Sequence, residues 1–87
     1  MTRVQLLDLL KSYLKQIAPD SDPSALQEDD FIKHKLGLDS FDFLQFIILI
    51  NDELKINIPE ENYGRVLTLK NLSDYLVHAG SEKLMNT

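Results

Sequence analysis

The chain has no cysteine and no tryptophan, and only three glycines and three prolines in 87 residues. Without cysteine there is no disulfide framework and no thiolate metal site, and any thiol that function needs must come from a cofactor. Basic residues are scarce too: nine Lys and Arg stand against fourteen Asp and Glu, a formal net charge of −5. That balance speaks against nucleic acid and anionic membranes, whose phosphates are read by clustered cations. It suits basic protein partners, met through electrostatic steering. No apolar run approaches the roughly 20 residues of a membrane-spanning helix. Met1-Thr2-Arg3 leads into an interrupted, charged pattern with no continuous apolar segment of a secretory leader. The expectation is a soluble, cytoplasmic monomer with neither nucleic acid nor membrane as partner. A chain this short makes one domain, expected over residues 1–80, with a polar tail at 81–87.

What the chain does have is a stretch around which the rest is arranged, Leu36-Gly37-Leu38-Asp39-Ser40-Phe41-Asp42, followed by apolar residues to Leu54. Asp39 or Ser40 suits a helix N-cap, because a side-chain oxygen there accepts an orphan backbone N–H. Ser40 is then exposed at the mouth of a helix, where the macrodipole and unpaired N–H groups favour an anionic ester. The helix it opens, over Ser40 to Leu54 or Lys55, carries two apolar stripes. At 3.6 residues per turn, Phe43, Phe46, Ile47, Ile50 and Leu54 share one side. Phe41, Leu44 and Ile48 lie nearly opposite, beside Gln45 and Asp52. One stripe serves the core. The other is surplus and marks a partner surface, unless the helix is buried on both sides.

Residues 3–18 form an amphipathic helix through Leu6, Leu10, Tyr13 and Ile17, flanked by Leu7 and Leu14, and Pro19 stops it. Residues 19–39 read as a long loop, pinned by Leu26, Phe31, Ile32 and Leu36. Asp20, Asp22 and Ser24 superficially suggest a calcium loop, but the sixth-position Gly and the closing Glu are missing. His34 has no orienting partner or elbow motif that would make it a base for Ser40. Pro59, Glu60 and Glu61 open a short helix that Gly64 interrupts. Val66 and Leu67 pack inward. Thr68 caps a last helix with the stripe Leu69, Leu72, Tyr75, Leu76 and Ala79, and Gly80 ends it.

From Phe31 to Leu76 the chain resembles the acyl carrier proteins. Leu36 to Asp42 is similar to their Leu-Gly-x-Asp-Ser-Leu-Asp signature, and Ile58-Pro59-Glu60-Glu61 and Thr68-Leu69 extend the match. The resemblance implies an all-α fold, a small four-helix bundle of three longer helices and one short one. It implies 4′-phosphopantetheine on Ser40, with Asp39 beside it, put there by a phosphopantetheinyl transferase. The chain would then be no enzyme but a discrete carrier, passing thioester-bound acyl groups among acyl-transferring or acyl-activating enzymes of fatty-acid, polyketide or related metabolism. The contact face would be Phe41, Asp42, Leu44, Gln45, Ile48 and Asp52, with charge also from Asp39 and Glu53. Phe41 stands where the family usually has Leu, and Gln45 where fatty-acid carriers usually have Glu, so the usual fatty-acid partners need not apply. An aminoacyl carrier of D-alanyl type is the alternative within the class. From another class, the alternative is an unmodified helical interaction domain in which Ser40 only caps.

Overall fold

The computed structural model describes residues 2–80; the polar tail expected at 81–87 lies outside the described residues. Three long helices, α1 (Arg3–Ile17), α3 (Ser40–Leu54) and α4 (Leu69–Ala79), are joined through the five-residue α2 (Ile32–Leu36) and two 3-10 turns, Pro23–Ala25 and Glu60–Arg65. The fold is a small all-α one, with no strand among the described residues.

Each long helix starts where its sequence can satisfy the first orphan N–H groups. Thr2 and Gln5 form a reciprocal capping box on α1. Thr68 accepts from the Asn71 N–H on α4. Helix α1 ends at Ile17, one residue early, because Ala18 is already non-helical ahead of Pro19.

The core lies between α1, α3 and α4. Leu10, Leu14, Phe46, Ile47, Ile50, Leu72 and Leu76 are fully buried in it. At about 1.5–3 kcal/mol for each large apolar side chain removed from water, these residues supply most of the drive to fold. Between α3 and the second 3-10 turn the chain is extended. Ile56 and Ile58 point in and Asn57 points out, the alternation of an extended segment. Asn51 Oδ1 accepts from the Ile58 N–H at 3.2 Å and holds that segment to α3.

Three expectations about the connections change. The loop at 19–39 contains structure: the Pro23–Ala25 turn and α2, both too short to show periodicity. Leu26 and Ile32 anchor it as expected, but Phe31 is 57% exposed. The backbone explains this. Phe31 and Thr68 form an isolated antiparallel bridge, and the Ile32 N–H donates to the Leu67 carbonyl at 2.9 Å. Successive side chains in such an extended pairing point opposite ways, so burying Ile32 turns Phe31 outward. Near Pro59 the short helix is 3-10 and runs through Gly64 to Arg65. At the far end of α4, Ala79 is exposed while Ser73 is buried, its hydroxyl donating to the Lys70 carbonyl at 2.9 Å.

Arg3 ties three segments together, pairing with Glu28 of the loop and Asp74 of α4, each at 2.7 Å. All three side chains are more than a third exposed, so water screens the pairs to about 1 kcal/mol or less.

Candidate functional site

The site begins at the end of α2. Gly37 adopts φ 68°, the left-handed conformation that glycine enters without a Cβ penalty. It closes a Schellman motif, with the Leu38 N–H donating to the Lys33 carbonyl at 2.8 Å and the Gly37 N–H to the His34 carbonyl at 3.4 Å. This reversal buries Leu38 and delivers Asp39 to the start of α3 in extended conformation.

Asp39, not Ser40, is the N-cap. Its Oδ1 accepts from the Asp42 N–H at 2.8 Å, and Asp42 Oδ2 accepts from the Asp39 N–H at a long 3.5 Å. Of the two candidates the carboxylate takes the cap, since it is also favoured by the positive end of the helix. Ser40 becomes the first helical residue, exposed, with a hydroxyl that caps nothing. The first intrahelical bond comes later, from the Phe43 N–H to the Asp39 carbonyl, so the Ser40 and Phe41 N–H groups precede the ladder.

Among the described residues the Ser40 hydroxyl has one side-chain hydrogen-bond partner, the Lys33 Nζ, which donates to Ser40 Oγ at 3.2 Å. The same ammonium stands 6.0 Å from the centroid of the Phe43 ring. Lys33 reaches Ser40 because the Gly37 reversal folds α2 back against the start of α3. The sequence carried that cation in Lys33-His34-Lys35, beside a histidine whose chemistry is the more conspicuous. His34 is exposed, and the hydrogen bond to Ser40 Oγ comes from Lys33 instead. Below Ser40 opens a cleft of about 380 Å³ lined by Lys33, Ser40, Phe43, Leu44, Glu60, Tyr63, Gly64 and Leu67. Its walls join α2, α3 and the Glu60–Arg65 turn, a combination that periodicity along one helix does not reveal. Asn62 donates to the Tyr75 hydroxyl at 2.9 Å and fastens that turn to α4.

The expected contact residues fall as follows. Phe41, Leu44 and Ile48 are 66%, 39% and 42% exposed on the outer side of α3. Asp42 and Gln45 are half-buried at the edges of this row, and Asp52 and Glu53 are exposed toward its far end. Leu44 belongs to both the outer row and the cleft. At the former calcium candidate, Ser24 bonds Asp22 directly, and no metal-holding cluster occurs among the described residues.

Comparison with known proteins places the whole helical region in one family. The family described as "Phosphopantetheine attachment site" matches residues 4–76. The acyl carrier protein of Streptomyces coelicolor is 29% identical over 75 residues, covering 86% of this chain and 82% of that protein. The acyl carrier protein of Phaeodactylum tricornutum is 29% identical over 55 residues, covering 63% of this chain and 72% of that protein.

Proposed function

The chain belongs to the acyl carrier protein family, and from that premise we propose that Ser40 bears its 4′-phosphopantetheine and that the outer face of α3 presents the loaded arm to partner enzymes. The carrier role itself, as distinct from catalysis, comes with the family, and so does the prosthetic group. The observation that supports Ser40 is its place: an exposed hydroxyl at the first position of α3, relieved of capping by Asp39, beside a cation and over a cleft.

The residues around Ser40 suit the group. The N–H groups of Ser40 and Phe41 and the Lys33 ammonium are donors facing an anionic ester, and the cleft has an apolar wall in Phe43, Leu44 and Leu67. The arm supplies the terminal thiol that this cysteine-free chain lacks, and with it thioester linkage of an acyl group. The protein's own part is to hold the ester at a rigid helix end and to present a surface. Transfer of the arm from coenzyme A would join Ser40 Oγ to phosphorus as the phosphoanhydride bond to the departing nucleotide breaks, with the hydroxyl proton taken up by the transferase.

Phe41, Leu44 and Ile48 form the apolar centre of the docking face, because central apolar anchors dominate protein interfaces. Asp42, Asp52 and Glu53 supply charge at its edge for steering basic partners. Gln45, at the edge beside Leu44, adds no charge there. The cargo is an acyl group of fatty-acid, polyketide or related acyl metabolism, handled by enzymes that accept this less acidic, more aromatic face. The acidic composition and the absence of long apolar runs support a cytoplasmic setting.

Incubation with coenzyme A and a phosphopantetheinyl transferase tests the assignment by intact mass. Wild type should gain one phosphopantetheine, and Ser40→Ala should gain none while keeping its stability within about 0.5 kcal/mol, since Ser40 does not cap. A Ser40→Ala protein that still gains the mass would move the site elsewhere.

A further inference from the structure

Resting on the reading of Ser40 as the attachment residue, we infer that Lys33 grips the phosphodiester at the root of the arm, so that modification of Ser40 ties α2 to α3. The ammonium already donates to Ser40 Oγ at 3.2 Å, a neutral and weak acceptor. Esterification replaces that hydroxyl with anionic oxygens attached to the phosphorus that Oγ then bears. These lie within the swing of a four-carbon stem, and a charge-assisted hydrogen bond is roughly twice as strong as a neutral one. Lys33 is half-buried, and its ammonium already stands over the Phe43 ring, so less freedom is lost when the bond forms.

The local charge makes the cation matter. An added anion on Ser40 stands next to Asp39 and Asp42, and Glu60 lines the same cleft. Lys33 offsets that repulsion at contact distance. It is also the residue whose carbonyl receives the Leu38 N–H in the Schellman motif. A grip on Lys33 from Ser40 therefore braces the corner from two sides. The effect is large for α2 in particular, since a five-residue helix has no stability of its own.

The experiment uses the full chain in its unmodified and phosphopantetheinylated forms, for wild type, Lys33→Gln, Lys33→Arg and Lys35→Gln. Lys35 is exposed on the same short helix, so its variant makes the same change in net charge without touching Ser40. Two quantities are read: the melting temperature, and hydrogen exchange of the Leu38 amide. Modification should raise the melting temperature by about 2–4 °C more in wild type, Lys33→Arg and Lys35→Gln than in Lys33→Gln. It should slow Leu38 exchange about two- to five-fold in the first three and leave it unchanged in Lys33→Gln. Equal shifts in wild type and Lys33→Gln overturn the grip. So does loss of the shift in both glutamine variants, which would make it an effect of net charge. If wild type gains no mass, it is the attachment reading itself that fails, and the two failures are thus told apart.

Discussion

On α3, Phe43, Phe46, Ile47, Ile50 and Leu54 face inward and are no more than 9% exposed, while Phe41, Leu44 and Ile48 on the same helix are 39–66% exposed. The two rows have the same chemistry, the same helical setting and the same spacing. They differ only in what lies opposite. The first row lies in the shared core against α1, while the second stays exposed, with only Leu44 turned toward the Glu60–Arg65 turn across the cleft. Apolarity in a sequence therefore marks a side chain that gains from leaving water; whether its cover comes from its own fold or from a partner is a tertiary matter.

The largest effect should come from the inner row. Phe46→Ala removes a fully buried ring that packs edge-on against Phe43, with centroids 6.1 Å apart. A loss of about 3–5 kcal/mol is expected, a large part of the total for so small a domain. Urea denaturation reads it directly, and an unchanged midpoint would reverse the assignment of the two rows.

Next comes the reversal that orients both rows. Gly37→Ala places a Cβ in open space, with nothing within 4 Å, so its cost is that of the left-handed backbone alone. About 1–2 kcal/mol is expected. A smaller loss, with Ser40 still modified at the normal rate, would mean that the corner relaxes without turning α3.

The outer row should give little in stability and much in function. Phe41→Ala should stay within about 0.5 kcal/mol of wild type, and Leu44→Ala and Ile48→Ala, which are more covered, within about 1 kcal/mol. Each should slow phosphopantetheinylation or acyl transfer at fixed protein concentration. Variants that melt far below wild type would make the row core; variants that melt normally and react normally would remove it from recognition.

The smallest effect is on pH dependence. Tyr13 is buried on the α1 side of the core, and burial pushes its phenol pKa up, with the charge of Glu53 on α3 adding to the rise. The folded protein then holds this proton more tightly than the unfolded chain does. Stability from this group is intact below the ordinary tyrosine value of about 10 and is lost as pH rises through the higher folded value. Tyr13→Phe should flatten that alkaline decline, as read from urea midpoints at neutral and alkaline pH. An equal decline in both proteins would assign it to other groups.

The sequence alone determined the three long helices and most of their inward stripes, because 3.6-residue periodicity and capping residues are local properties. It also placed Ser40 at a helix start, since only a few residues around Gly37 and Asp39 are needed to end one helix and begin another. Even here two neighbours competed for the cap, and only the hydrogen bond from Asp42 to Asp39 decided it. What tertiary structure alone decided depends on segments far apart in the chain. The bridge between Phe31 and Thr68 turned an expected anchor outward. The cleft under Ser40 needed the Glu60–Arg65 turn brought against α3. Lys33 met Ser40 only after a left-handed glycine folded α2 back on it. Each is a contact between elements, and such contacts leave no period in the sequence because the packing of the whole core sets them.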